Sequence, residues 1–462
     1  MNPTKRILSA LLCCTLLAGP TAFAADTAAA SPDPMADYAQ EYGHMLGLTP
    51  AQRLEDYEFF WKTLRESYPY YSLLERQGFD IDVIYQEYRD MIANYDNDTD
   101  LYAAINSICY RFGGTGHLML IDAATRDYLT PLYEQTAGRK TWADALNNPV
   151  SAKQYPKIAA FESYTAAEDG TSNVSQSTQT KLDNVTTLHL NDQTAYLRIS
   201  SFAYENISAD QKKISDFYDA LDGCKNLIID ITGNGGGSDN YWQDLLVAPL
   251  ISKPLSATHY LLMQNTANNQ PYLSEALGSS ALQPISKLPK LDALQDRDRM
   301  THFIADTVTV QPAKKHTAFS GKIWLLVDEG VYSSSEALAA FSKSTGFATL
   351  VGTQTGGDGL GMDPVFMVLP NSGLIVRYSA LYGLNPDGSC NEEFGTTPDI
   401  ISQNEAPLPT ALREILKNYT VNYTKKSAPR SSPVHFFVKW AAQKLCLHTS
   451  RQSRIQSENC KI

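Results

Sequence analysis

The chain has 462 residues, 43% of them hydrophobic and 19% charged, with a formal net charge of −12. Those proportions, together with 10% aromatic residues, exclude a disordered chain and allow about two or three domains around a large core. The acidic balance disfavours a nucleic-acid partner.

Lys5 and Arg6 precede an apolar run from Ile7 to Ala18, and Ala22-Phe23-Ala24 supplies the small residues of a cleavage site. Residues 1–24 therefore read as a secretory signal peptide. The run is too short for a permanent anchor, and no later stretch reaches about 18 apolar residues, so the mature protein is expected to be soluble and secreted or periplasmic, with no stable membrane span. Lipid attachment at Cys13 or Cys14 is the weaker reading, because Leu12 and Cys13 stand where a small residue belongs. Cleavage leaves Cys109, Cys224, Cys390, Cys446 and Cys460, an odd set without a Cys-x-x-Cys or Cys/His cluster. No complete disulfide framework, no metal and no cofactor is expected, although Cys446 and Cys460 could close a tail loop.

Asp26 to Pro34 is small, polar and Pro-containing, and residues 25–48 are assigned as a linker. From 49 to 112 the pattern is helical: Leu54, Tyr57, Trp61, Leu64 and Tyr68, then Val83, Ile84, Tyr88 and Met91, then Leu101, Ala104, Ile105, Ile108 and Phe112 behind Thr99 as an N-cap. This predicts a small N-terminal helical domain. Gly113 to Leu120 then sets His117 between a glycine turn and a short apolar strand, either as a hydrogen-bonded packing residue or as a functional group. Residues 121–185 are the least informative, with a Ser/Thr-rich loop at 170–179. They show no strand series and no carboxylate-binding loop, which makes a PDZ module doubtful; 113–186 is assigned as a connecting segment.

Strands resume at Thr187, and Asp210 to Leu221 reads as a helix. Leu227 to Ile231 is a buried-strand run ending in Thr232-Gly233-Asn234-Gly235-Gly236-Gly237, followed by a helix from Asp239 to Ala248 with Trp242, Leu245 and Leu246 on one face. Such glycines can present N–H groups to a carbonyl oxygen. The spacing fits neither a Walker A loop nor Gly-x-Gly-x-x-Gly, so phosphate binding is not expected. Leu250 to Phe319 is long and Pro-rich, the kind of segment that covers or lines a site. Ile323 to Val327 is a second buried strand, and Ser335 to Ala340 a strong helix former, which puts Ser333, Ser334 and Ser335 on a strand-to-helix turn. One of these serines could merely cap the helix, with Glu336 completing a capping box. Alternatively one of them is a nucleophile whose oxyanion is held by free N–H groups at the helix start. Pro370 to Gly373 turns a hairpin between Phe366–Leu369 and Leu374–Leu381. The last 45 residues carry eight Lys/Arg against one acid, Glu458, and Pro433 to Leu447 could form an amphipathic helix; 419–462 reads as a basic extension.

Asp230 to Gly237 resembles the Asp-Leu-Arg-Gly-Asn-Gly-Gly-Gly signature of the C-terminal processing (tail-specific) serine peptidase family, and Ser333-Ser334-Ser335-Glu336 its Ser-Ala-Ser-Glu nucleophile motif. Tyr196 to Phe202, Leu350 to Gly357 and Glu392 to Ile400 resemble three further family segments, so five motifs run in family order between about 196 and 400. The resemblance implies an α/β, crotonase-like peptidase core, here spanning 187–418. It also implies a serine-type endopeptidase acting on proteins or peptides, with Ser333 as nucleophile. The family's lysine slot holds Asp358 between Gly357 and Gly359, a feeble base for a hydroxyl. Lys343 reads as a solvated charge. Gly116-His117 with Leu120 resembles the Gly-His-x-x-Leu segment of the tricorn-core branch, which makes His117 the implied base and Glu392, or Glu393 one residue on, the implied orienting carboxylate. In that branch a relay hydroxyl lies close to the histidine; here Gly116 stands directly before it, and Thr115 or another hydroxyl could substitute. The N–H groups of Ser334 and of Gly236, to within one glycine, form the expected oxyanion hole, and Asp230 holds the turn. Interphotoreceptor retinoid-binding protein is similar in fold, so a non-catalytic binder of an apolar ligand or peptide is the alternative.

Overall fold

The structure is a computed structural model that describes residues 43–94, 97–168, 183–315, 317 and 319–423. The signal peptide, the loop at 170–179, the helix expected at 433–447 and the Cys446–Cys460 pairing lie outside the described residues.

Four helices, α1 (Pro50–Ser67), α2 (Tyr71–Arg76), α3 (Ile81–Asn94) and α4 (Thr99–Arg111), fill the expected helical region. α1 starts at a capping box: Thr49 accepts the Gln52 N–H and the Gln52 side chain takes the Thr49 N–H. Its stripe of Tyr57, Phe60, Trp61 and Leu64 is buried. Ahead of α4, Asp98 accepts the N–H groups of Leu46 and Leu48, each at 2.9 Å. Met45, Leu46 and Leu48 are buried, so the packed unit begins several residues before the expected boundary at 49.

Residues 119–168 hold β1 (Met119–Leu120), α5 (Ala123–Gln135), α6 (Lys140–Leu146) and α7 (Pro149–Glu168). These helices fill most of the stretch that is least informative in the sequence, and Pro131 and Pro156 lie inside α5 and α7, where proline ordinarily breaks a helix. Burial of Tyr133, Trp142, Leu146, Tyr155 and Ile158 against neighbouring elements decided the matter.

The core continues as β2 (Val185–Asn191), β3 (Thr194–Ile199), α8 (Asn206–Asp219), β4 (Asn226–Asp230), a π-helical stretch at Tyr241–Val247, β5 (Leu255–Met263), α9 (Gln270–Leu277), β6 (Gln283–Pro284) and β7 (His302–Val310). It closes with β8 (Lys322–Val327), α10 (Ser334–Thr345), β9 (Thr349–Gly352), β10 (Val365–Val368), β11 (Ile375–Tyr378), β12 (Leu381–Gly383), α11 (Asn391–Phe394), β13 (Ile400–Ile401) and α12 (Pro407–Tyr423). A six-stranded sheet has the order β13-β9-β8-β4-β3-β2, parallel except for the β2–β3 pair. β4 is buried at every position and β8 at all but Lys322, as continuous apolar runs covered on both faces must be. One face packs Ile214, Trp242, Leu246, Leu338 and Phe341; the other packs Ala411, Leu412 and Ile415 of α12. The chain thus has an N-terminal helical region and an α/β core, as expected.

Two antiparallel sheets flank it, β12-β5-β7-β6 and β1-β11-β10. The expected hairpin is β10–β11, pairing Val365 with Tyr378 and Val368 with Ile375. The Leu250–Phe319 segment, expected to cover or line a site, instead builds the first of these sheets, whose Leu261 and Met263 pack on Ala340 of α10.

Register places the functional loops. β4, β8 and β9 are parallel neighbours in which Asp230 lies beside Leu326, and Val327 beside Gly352. Their carboxyl ends therefore open the three loops 231–237, 328–333 and 353–359 at one edge, where ligands of open α/β sheets bind. In the β1–β11 pair, Met119 lies opposite Arg377, and the pairing runs on through the Ser379 N–H to the Gly116 carbonyl at 2.7 Å. That brings His117 to the same edge.

Candidate active site

Ser333 precedes α10 with φ 57° and ψ −127°, and its side chain makes no capping bond. Its Oγ instead lies 3.1 Å from His117 Nε2. Glu336 is not half of a capping box either: its carboxyl turns inward to Asn391 Nδ2 at 2.7 Å and Thr396 Oγ1 at 2.6 Å. Ser335 Oγ is used locally, donating to the Asn234 carbonyl. Of the three serines, only Ser333 meets a base.

The other ring nitrogen, His117 Nδ1, is 2.5 Å from Asp358 Oδ2. Asp358 is 4% exposed and is surrounded by hydroxyls: Tyr70 donates to Oδ1 at 2.9 Å, and Ser379 and Tyr332 donate to Oδ2 at 2.7 and 3.5 Å. Ser379 Oγ is also 3.2 Å from Nδ1, which places it where a relay hydroxyl would sit. Thr115 is not there; its hydroxyl donates to the Phe112 carbonyl. Gly116 explains the empty slot before the histidine, because a Cβ at that position would lie 2.3 Å from the Tyr70 ring. The Tyr332 ring lies 4.9 Å from the imidazole and walls it.

Glu392, expected to orient the imidazole, does not contact it. Its Oε1 accepts the Gly116 N–H at 2.8 Å and its Oε2 the Tyr332 hydroxyl at 3.2 Å. It braces the turn that carries His117. The reason is steric: Gly357 fits so closely against α11 that a Cβ there would lie 2.3 Å from the Asn391 carbonyl oxygen, and this interdigitation hands Asp358 the position next to the ring. Burial, and then the charge of Asp358, push the Glu392 carboxyl well above the ordinary carboxylate range. The alternative Glu393 pairs with Arg76 at 2.7 Å, away from the ring.

Backbone strain collects here. Among the described residues the non-glycine positions with positive φ are His117, Ser333, Asp358 and Asn404, so all three contacting groups are in a left-handed region. Such strain persists where surrounding contacts over-determine it, and it clusters at functional sites.

Ser334 opens α10, and its N–H has no acceptor among the described residues. Gly236 faces it so closely that a Cβ would lie 2.8 Å from that nitrogen. The N–H of Gly236 itself is donated to Asn234 Oδ1 at 2.9 Å. Asp230 holds the turn, accepting from the Thr232 N–H and hydroxyl at 2.9 and 2.7 Å. Arg198 on the adjacent strand donates to the Thr232 hydroxyl at 2.8 Å and ion-pairs with Asp230. Lys343 lies at the far end of α10 and pairs with Asp399.

Glu336 is fully buried, and burial raises its pKa from 4.5 to about 7. The stability carried by its neutral form is present in full below about pH 4.5 and is lost as pH rises through about 7. Glu336→Gln stays neutral throughout. Urea unfolding at about pH 4.5 and about pH 8 should therefore show the variant gaining about 3 kcal/mol relative to the native chain. A difference independent of pH would reject this.

A strand-to-helix serine facing a histidine at the carboxyl edge of a parallel sheet defines the class as an α/β serine hydrolase site. Residues 193–402, just under half of the chain, match the model of Peptidase family S41. The matched core is therefore similar to that of Peptidase family S41, in keeping with a serine-type peptidase. Among solved structures, a candidate peptidase from Parabacteroides merdae ATCC 43184 is 17% identical, with 82% of this chain and 100% of that chain covered and a TM-score of 0.48. The photosystem II D1 C-terminal processing protease is 14% identical (80% and 98% covered, TM-score 0.41), and mature CPAF 13% (76% and 92%, TM-score 0.44). No curated protein matches the chain.

Sequence reading missed Asp358, Ser379, Tyr332 and Tyr70. Asp358 alone carried a signal: a titratable residue between two glycines, soon after the nucleophile helix. In the family's lysine slot it reads as a base, whereas a histidine base needs a carboxylate partner.

Proposed function

We propose that the chain is an exported serine endopeptidase in which Ser333, His117 and Asp358 act as a triad. The observation that carries this is the continuous contact Ser333 Oγ to His117 Nε2, 3.1 Å, and His117 Nδ1 to Asp358 Oδ2, 2.5 Å. Asp358 fixes the tautomer with the proton on Nδ1, which leaves the Nε2 lone pair for the serine proton. Ser333 Oγ then attacks the peptide carbonyl. His117 passes the proton to the leaving amine, and water hydrolyses the acyl-enzyme by the reverse sequence. The oxyanion is held by the Ser334 N–H and by the Gly236 turn, whose N–H exchanges Asn234 for the oxyanion. Glu392 serves by holding Gly116 and Tyr332. The signal-like segment 1–24 supports export, with the mature enzyme acting in the periplasm or outside the cell.

Two measurements on the mature chain test this together: digestion of casein, and labelling of Ser333 by a fluorophosphonate located by peptide mapping. Cleavage with the label on Ser333 is the expected result. Inert protein with an unlabelled Ser333 would overturn the reading and return attention to the binding alternative.

A further inference from the structure

Arg377 lies on β11 directly opposite Met119 of β1 and Phe366 of β10. Ser379, two residues on, continues the same pairing and contacts both His117 and Asp358. Side chains two apart in a strand share a face, so the Arg377 side chain rises roughly 7 Å along that face from the imidazole partner Ser379. Its electrostatic neighbours are the hydroxyls of Tyr133 and Tyr332 and, among charged groups, Asp122. Tyr332 is the residue before the nucleophile. Asp122 is engaged elsewhere, accepting the Thr125 N–H at 2.6 Å as the N-cap of α5.

The guanidinium is without a partner. The Arg377 side chain makes no hydrogen bond or ion pair with the described residues, and its Nε is buried with no acceptor. Among other partly buried arginines, Arg76 pairs with Asp296 and Glu393, Arg139 with Asp363 and Arg198 with Asp230, while Arg126, Arg297 and Arg299 donate to backbone carbonyls. A cation taken out of water without a counter-charge is unfavourable, so a fold retains one where a ligand completes it. A planar fork of N–H donors matches a carboxylate bidentately.

We propose that Arg377 is a specificity-determining residue that binds a substrate carboxylate beside the catalytic histidine, on the β11 face that carries Ser379, either the α-carboxylate of a peptide C-terminus or an aspartate or glutamate side chain. This rests on the peptidase reading of the same site and adds what the site selects. A carboxylate there fills the guanidinium fork, while a carboxamide presents an N–H₂ group to a donor and leaves a buried N–H unpaired.

The test uses the mature chain carrying Ser333→Ala, so that binding is read without turnover. The probe is a fluorescent decapeptide pool randomised over uncharged residues, in three forms: C-terminal amide, C-terminal acid, and C-terminal amide with one internal glutamate. At least one carboxylate form should bind about tenfold or more tightly than the plain amide. Which form wins identifies the source of the carboxylate. Adding Arg377→Gln should bring the ratio to about one, and Arg377→Lys should restore part of it. Equal dissociation constants for all three forms with Arg377 in place, a comparison that needs no arginine variant, would overturn the proposal. A carboxylate preference that survives Arg377→Gln would overturn it as well. Fluorophosphonate labelling of the native serine separates the two readings: labelling without carboxylate preference refutes only the role of Arg377, and preference without labelling refutes only the peptidase.

Discussion

Ser333→Ala is expected to lower kcat on casein-derived peptides by about a million-fold, His117→Ala by nearly as much, and the double variant no further. The reason is that the two side chains form one functional unit. Without His117 Nε2 at 3.1 Å the serine hydroxyl is scarcely ionised, and without the hydroxyl the imidazole has no proton to take. What survives, about a thousandfold or more over water, comes from the Ser334 N–H and from substrate positioning, which neither substitution touches. Kinetics of the two single variants and the double variant check this. Losses that multiply in the double variant would mean that Ser333 and His117 act independently and that the triad is misassigned.

Asp358→Asn should lower kcat by about ten-thousandfold, whereas Glu392→Gln should stay within about tenfold of the native chain. An amide at 358 preserves the shape of the contact at His117 Nδ1 but presents an N–H₂ group that selects the wrong tautomer and leaves the imidazolium uncompensated. Glutamine at 392 can still accept the Gly116 N–H on its amide oxygen, and its amide N–H₂ can donate to the Tyr332 hydroxyl oxygen, so both contacts of Glu392 in this site are kept with the second reversed in direction. Because the folded-state pKa of Glu392 is raised, its contribution to stability is lost as pH rises; Glu392→Gln should accordingly become more stable relative to the native chain at alkaline pH. The reversed ranking, with Glu392→Gln crippled and Asp358→Asn active, would reinstate the carboxylate assignment expected from the sequence.

The comparison between these two carboxylates shows where the sequence stops being informative. Buried-strand runs at Leu227–Ile231 and Ile323–Val327, each ending in a glycine- or serine-rich turn, could be read directly, because a parallel strand covered on both faces must be continuously apolar and its loop must not be. The same local logic gave the nucleophile turn, the glycine loop, the β10–β11 hairpin and the aromatic stripe of α1. Helices α5 to α7 escaped it: α5 and α7 carry an internal proline and α6 is only seven residues long, so all three depend on burial of Tyr133, Trp142 and Ile158 against neighbouring elements.

By itself, then, the sequence determined the serine on its strand-to-helix turn, the histidine on its glycine turn and the two buried strand runs at 227–231 and 323–327, all of which depend on residues close together in the chain. Only the tertiary structure decided which carboxylate meets the imidazole. Residues 117, 333, 358 and 379 come from four separate segments, joined by strand register and by glycines at 116, 236 and 357 whose missing Cβ atoms let backbone pack on backbone or ring. Contacts of that kind depend on displacements smaller than a side chain, and no periodicity along the chain encodes them.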